Sequence, residues 1–128
     1  ELGLENRVRF AGYRRDIPAV LAAADALILA SEREGLARSV LEAMSAGRPV
    51  IGTRTRGITD ALPEGTGWLV PKHDAAALAK AIDDAAGFPA EVVRRGEAAR
   101  SVARRTYDLP LIIEAYEELY REALASRV

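Results

Sequence analysis

An α/β fold built on a parallel sheet is predicted by three features of this 128-residue sequence. Strand and helix patterns alternate along most of it, in the order strand, helix, strand, helix, strand, loop, strand and then three helices. Residues 25–30 (DALILA) are a short apolar run of the kind that forms a strand buried on both faces. Just beyond, residues 38–46 carry Val40, Leu41 and Met44 on one helical face, so strand, turn and helix follow one another directly.

The elements are justified in chain order. Residues 7–11 (RVRFA) alternate polar and apolar, which predicts a strand closed by Gly12. Asp16 is placed as an N-cap, with Pro18 in the first turn and Ile17, Val20, Leu21 and Ala24 at helical spacing. Gly47 ends the helix at 38–46 as a C′ glycine, and residues 49–53 form the next strand. Residues 54–67 are rich in Gly, Thr and Arg and predict a loop that has room for one short turn of helix. Residues 68–70 are a further strand, stopped by Pro71. Asp74 caps a helix to Ala86, and Gly87 and Pro89 separate it from a basic helix over residues 90–105. Asp108 caps the last helix, whose Ile112, Tyr116, Leu119, Tyr120 and Ala123 form an apolar stripe.

Composition narrows the function classes. The chain is long enough for one modest core, and 49% hydrophobic with 29% charged residues is ordinary for a globular domain. Eighteen Lys and Arg against nineteen Asp and Glu leave a formal charge of −1, which gives no electrostatic argument for nucleic acid. Without cysteine there is no disulfide or thiolate metal site, a usage that fits a cytoplasmic protein. No apolar run approaches the ~20 residues of a membrane span. The arginines at 94, 95, 100, 104 and 105 are offset by Glu91 and Glu97 and read as a solvated face, with peripheral contact to anionic lipid as the other reading.

The chemistry concentrates between Ser31 and Gly67. In a parallel sheet the turn after a strand opens at the carboxyl edge, and the next helix points its unpaired N–H groups and positive dipole end into the crevice. Glu34 lies in that turn. Glu42 lies four residues into the helix from Arg38, roughly 6 Å along its axis, and about 155° from the centre of the apolar face. An anion at the helix end would then have one carboxylate near its sugar side and a second within reach of a ribose diol.

These residues also carry a resemblance. E-G-L-x-R-S-V-L-E-A-M-x-A-G-R-P-V-I-G-T, followed by R-G-x-x-D and G-T-G-W-L-V-P, resembles the C-terminal, nucleotide-sugar-binding domain of retaining GT-B glycosyltransferases. More narrowly it is similar to family four, whose hallmark is E-x7-E, and R-S-V-L-E-A resembles its bacterial surface-polysaccharide branch. The likeness spans residues 6–74, with a weaker helical continuation. It implies a Rossmann-like parallel sheet with flanking helices, forming part of the donor-binding domain, with the N-terminal acceptor domain outside residues 1–128. It implies further that the domain's first two strands, with the basic residues that clamp the diphosphate, lie outside the chain. The strand at 7–11 then pairs directly with that at 25–30, or the open edge recruits strands from a neighbour in a strand-exchanged or edge-paired oligomer.

By the same resemblance, Glu34 is the catalytic-site residue holding hydroxyls of the donor sugar, and Glu42 accepts from both ribose hydroxyls. The bland alternatives are a solvated turn residue and an exposed helical glutamate. Gly35 allows close backbone approach or simply makes the turn, and the N–H groups of Leu36, Ser39 and Val40 face sugar and phosphate oxygens, with Ser39 as a helix cap the other reading. Arg38 either supplies charge to the leaving diphosphate or faces water. Gly12, Tyr13 and Arg14 fall where the family seats the base, although Tyr13 by itself reads first as half-buried packing. Arg56, Gly57 and Asp60 stand where the family more often has a double glycine and a glutamate, and an Arg56–Asp60 salt bridge is the alternative to a role for Arg56. His73 reads as a solvated surface residue.

The reaction so implied moves a sugar from a UDP- or GDP-linked donor to an acceptor hydroxyl with retention. It needs no metal cofactor, since no D-x-D occurs, and the chain without its acceptor half is expected to be inactive. The competing reading is a noncatalytic α/β module that binds a nucleotide or phosphate, or docks a partner through its final helix.

Overall fold

The computed structural model describes residues 3–126. Its elements are α1 (Ile17–Ala23), β1 (Leu27–Leu29), α2 (Arg38–Ser45), β2 (Val50–Thr53), α3 (Arg56–Ala61), β3 (Gly67–Val70), α4 (Ala75–Gly87), α5 (Pro89–Thr106) and α6 (Leu109–Ala125). The three strands form one parallel sheet in the order β1-β2-β3, with Ile28 opposite Ile51 and Ile51 opposite Trp68. The α/β expectation is met, and each strand feeds a helix that packs back on the sheet.

Successive residues of β2 point to opposite faces and sort the core into two layers. Val50 joins Val40, Met44, Ile58 and Ala99 on the side covered by α2, α3 and α5. Ile51 joins Val70 and Ala81 beneath α4. All four β2 residues are buried, as a central parallel strand requires.

Helix ends follow the sequence where a local bond is available. Gly47 sits at φ +72 beyond α2; its N–H donates to the Met44 carbonyl at 2.9 Å and that of Arg48 to Ala43 at 2.8 Å, the paired bonds of a Schellman motif. Asp74 caps α4 by accepting from the Ala77 N–H at 2.8 Å. Gly96 lets α5 close on the end of α2, since a Cβ there would lie 2.1 Å from the Gly47 carbonyl oxygen. Arg95 ties α5 to the sheet: its guanidinium stacks 4.4 Å above the Trp68 ring, donates to the Gly67 carbonyl and pairs with Glu91. Hydrogen bonds from Arg94 and then Arg95 hold the Glu91 carboxyl at about 2, well below the usual carboxylate range. Arg95 is thus engaged within the fold, whereas Arg94, Arg100, Arg104 and Arg105 are exposed, as the solvated face predicts.

Four expectations are corrected. The run at 25–30 forms β1 but is not buried on both faces, since Ile28 is 46% exposed. Residues 7–11 form no strand: the Arg7 and Val8 amides turn back to the Leu4 carbonyl, Phe10 is 95% exposed, and no direct pairing with β1 is made. Alternation supplies two faces but no neighbour to bond, and no described strand flanks β1 on its outer side. Asp16 stands at the N-cap of α1 but caps no N–H, because both its oxygens accept from Arg14. The loop at 54–67 holds a six-residue helix, α3, seated by the buried Gly57 and Ile58.

Candidate functional site

All three strands are parallel, so the turns after β1, β2 and β3 gather at one edge of the sheet. Hydrogen bonds lock the first two turns together. The Thr53 hydroxyl donates to the Ser31 carbonyl, the Gly57 N–H donates to the Glu34 carbonyl at 3.2 Å, and the Arg54 N–H donates to the Val70 carbonyl at 2.9 Å. Gly57 is obligatory at this contact: a Cβ would stand 2.3 Å from the Gly35 carbonyl oxygen and 2.7 Å from that of Glu34.

Glu34 is half-buried in this frame. The Ser31 hydroxyl donates to its Oε1 at 2.7 Å, which fixes the carboxylate and leaves Oε2 open. Gly35 is not needed by the turn, since its φ lies outside the left-handed region and no protein atom comes within 4 Å of where a Cβ would stand. Beyond it, Ala37 occupies the N-cap of α2, and no side chain caps the helix. The Leu36 and Ser39 N–H groups have no acceptor among the described residues, while that of Val40 donates to Ala37 at 2.9 Å. The Val40 side chain belongs to the core, and Leu36 and Arg38 are exposed. Ser39, half-buried one residue into the helix, is not its cap.

The two glutamates open onto different hollows. Glu34 lines one of about 440 Å³ between the three turns, with Glu32, Arg33, Arg54, Arg56 and Lys72. Glu42 is exposed on the flank of α2 that faces α1 and lines a second hollow with Ile17, Leu21, Leu41 and Tyr107. No residue is shared by these two hollows, so the joint grip of both carboxylates on one anion that their spacing suggested is not seen in the geometry. Gly12 (φ +64), Tyr13 (88% exposed) and Arg14 lie in the stretch before α1 and line neither hollow. Arg56 is largely exposed and meets Asp60 at 3.6 Å, the salt bridge weighed above. His73 is exposed, as expected, 3.8 Å from Glu32 and in the left-handed region at φ +59.

Arg54, Thr55 and Lys72 were not singled out by the motif. Their signal is positional, because each follows closely on a strand end at the crevice edge. Thr55 is 6% exposed, and its hydroxyl is buried without a hydrogen-bond partner. Such an orphan costs about 1–3 kcal/mol unless something satisfies it.

A parallel sheet with flanking helices and a polar hollow at its carboxyl edge defines a Rossmann-like α/β domain. The comparisons narrow this class. Residues 1–87 match the family described as "Glycosyl transferases group 1", and the chain belongs to that family. It is 35% identical over 127 residues to the N-acetyl-alpha-D-glucosaminyl L-malate synthase of Bacillus anthracis, covering 96% of this chain and 32% of that protein. Among solved structures, sucrose-phosphate synthase of Thermosynechococcus elongatus superposes with a TM-score of 0.89 at 32% identity, over 96% of this chain and 32% of that one. Anabaena HepE in complex with UDP-glucose superposes with a TM-score of 0.88 at 30% identity, over 94% of this chain and 34% of that one. The fold is that of the GT-B glycosyltransferases. The chain spans about a third of the length of the relatives it matches.

Proposed function

We propose that this chain is the donor-binding part of a retaining glycosyltransferase of the family-four type, acting in bacterial surface-polysaccharide assembly. It takes a sugar from a nucleotide diphosphate and passes it to an acceptor hydroxyl. Family membership and the likeness to a protein crystallised with UDP-glucose support this reading. The observation that carries it is the edge of the sheet itself. The free N–H groups of Leu36 and Ser39 flank a helix end that no side chain caps, beside a carboxylate pinned through one oxygen only.

Breaking the anomeric C–O bond leaves negative charge on the diphosphate and positive charge on the sugar ring. In this scheme the amino end of α2 and Arg38 meet the first, and Glu34 orients the ring beside the second. The acceptor oxygen bonds to the anomeric carbon on the departing face, and its proton leaves with the diphosphate. Glu42, on the far flank of α2, takes the ribose diol of a nucleotide lying across the helix end. Gly35 faces open space and needs no side chain for the fold, which favours ligand approach over turn-making. No metal ion is required, because the charge is met by dipoles and fixed cations. The unpaired outer edge of β1 would receive the rest of the transferase or a second copy.

Titration of UDP and GDP into wild type and Glu42→Ala tests this. Losing charge-assisted bonds to two hydroxyls is expected to weaken nucleotide binding by about 10- to 100-fold. Equal binding by both proteins would refute the donor role of Glu42. It would also favour the second reading, an interaction module working through α6, whose Leu109, Tyr116, Leu119 and Tyr120 are all more than half exposed.

A further inference from the structure

We propose that the hollow between the three turns receives an anionic group, phosphate or carboxylate, carried by the acceptor. The inference rests on the donor-binding reading above and adds a substrate class to it.

Four cations, Arg33, Arg54, Arg56 and Lys72, line this hollow against two carboxylates, Glu32 and Glu34. They arrive from all three turns, so the concentration of charge is produced by the topology and not by one basic run. Among the described residues, Arg33, Arg54 and Lys72 pair with no carboxylate, and Arg56 has only the long, exposed contact to Asp60. One Glu34 oxygen is already occupied by Ser31. Cations gathered this way repel one another and contribute little to the fold, but they concentrate field in a concave site. Thr55 stands in the wall of the hollow, largely buried at 6% exposure. An anion is the partner that the unpaired cations lack.

The side on which the hollow lies identifies the source of the anion. The donor's diphosphate belongs at the amino end of α2, toward Glu42 and α1. The hollow extends the other way from Glu34, toward the turns after β2 and β3. Glu34 therefore stands between a nucleotide and whatever fills the hollow. An acceptor bearing both a hydroxyl and an anionic group, such as a hydroxy acid or a phosphorylated alcohol, would place its hydroxyl beside the sugar while the cations hold its other end.

The test titrates inorganic phosphate, malonate and UDP separately into the 128-residue chain and into an Arg54→Ala/Lys72→Ala double variant, following amide resonances. Saturable phosphate and malonate binding, weakened roughly tenfold in the double variant with UDP binding unchanged, is expected. Non-saturable binding, or equal affinity in the double variant, overturns the proposal. A parallel loss of UDP affinity also overturns it, by assigning the hollow to the donor diphosphate. Anion binding that behaves as expected in a chain indifferent to UDP upholds the anion site and rejects the donor reading instead. Both substituted side chains sit at the exposed rim; should the double variant fail to fold, Arg33→Gln with the same three titrations gives the same decision.

Discussion

Replacing Gly57 by alanine would place a methyl group 2.3 Å from the Gly35 carbonyl oxygen, 2.7 Å from that of Glu34 and 2.8 Å from the Gly35 carbonyl carbon. All three are backbone atoms, so no side chain can swing aside. Reaching an ordinary contact of ~3.4 Å requires the two turns to separate by about 1 Å, which also stretches the 3.2 Å bond from the Gly57 N–H to the Glu34 carbonyl. Overpacking at a buried site costs about 1–3 kcal/mol and the weakened hydrogen bond about 1 kcal/mol. The better helix propensity of alanine in α3 returns about 0.5–1 kcal/mol, leaving a net loss of about 1–3 kcal/mol. Urea unfolding with the m-value held constant measures that loss, and Gly87→Ala is the control, since nothing lies within 4 Å of its Cβ position. Under the proposed donor-binding role, where a misplacement of ~1 Å near a reacting centre costs on the order of 100-fold, Gly57→Ala in the longer protein should lower kcat by roughly that factor. A Gly57→Ala protein as stable as wild type would show that the turns are not locked at this contact, and the argument for a fixed Glu34 would fail with it.

Two further predictions follow from the same geometry. Gly35→Ala should leave stability within about 0.5 kcal/mol of wild type, since no protein atom meets the new methyl, while UDP-glucose titration should show weaker binding than wild type. For Glu91, a folded-state value of about 2 against an ordinary 4.5 means that its pairing with Arg94 and Arg95 stabilises the fold above pH 4.5 and is lost as pH falls toward 2. The melting midpoint of wild type should therefore exceed that of Glu91→Gln at pH 7, with the gap narrowing below pH 4.5; a constant gap would contradict this account.

Much of the fold is legible in local sequence because local bonds enforce it. The apolar run at β1, the buried face of α2 and the Gly47 stop each depend on residues within a few positions of one another. The turn that holds Glu34 is likewise closed locally, by Ser31 three residues earlier. What the sequence concealed depends on distant neighbours. Alternation at residues 7–11 cannot reveal that no strand lies beside them. Asp16 is the local exception: its carboxylate is engaged by the Arg14 guanidinium two residues away and not by a helix amide. Spacing along α2 gives the axial rise from Arg38 to Glu42 but not the identity of the wall that Glu42 faces, which α1 and Tyr107 supply. Arg54 and Lys72 share a hollow only because β2 and β3 are adjacent and parallel.

The stitching of Ser31, Glu34 and Val70 by Thr53, Gly57 and Arg54 uses main-chain atoms and one hydroxyl, and none of the four charged tips around the hollow takes part. The rim can consequently be rewritten residue by residue while its foundations stay put. Exchanging positions 33, 54, 56 and 72 for neutral or acidic side chains would change the charge of the hollow while leaving these main-chain bonds in place.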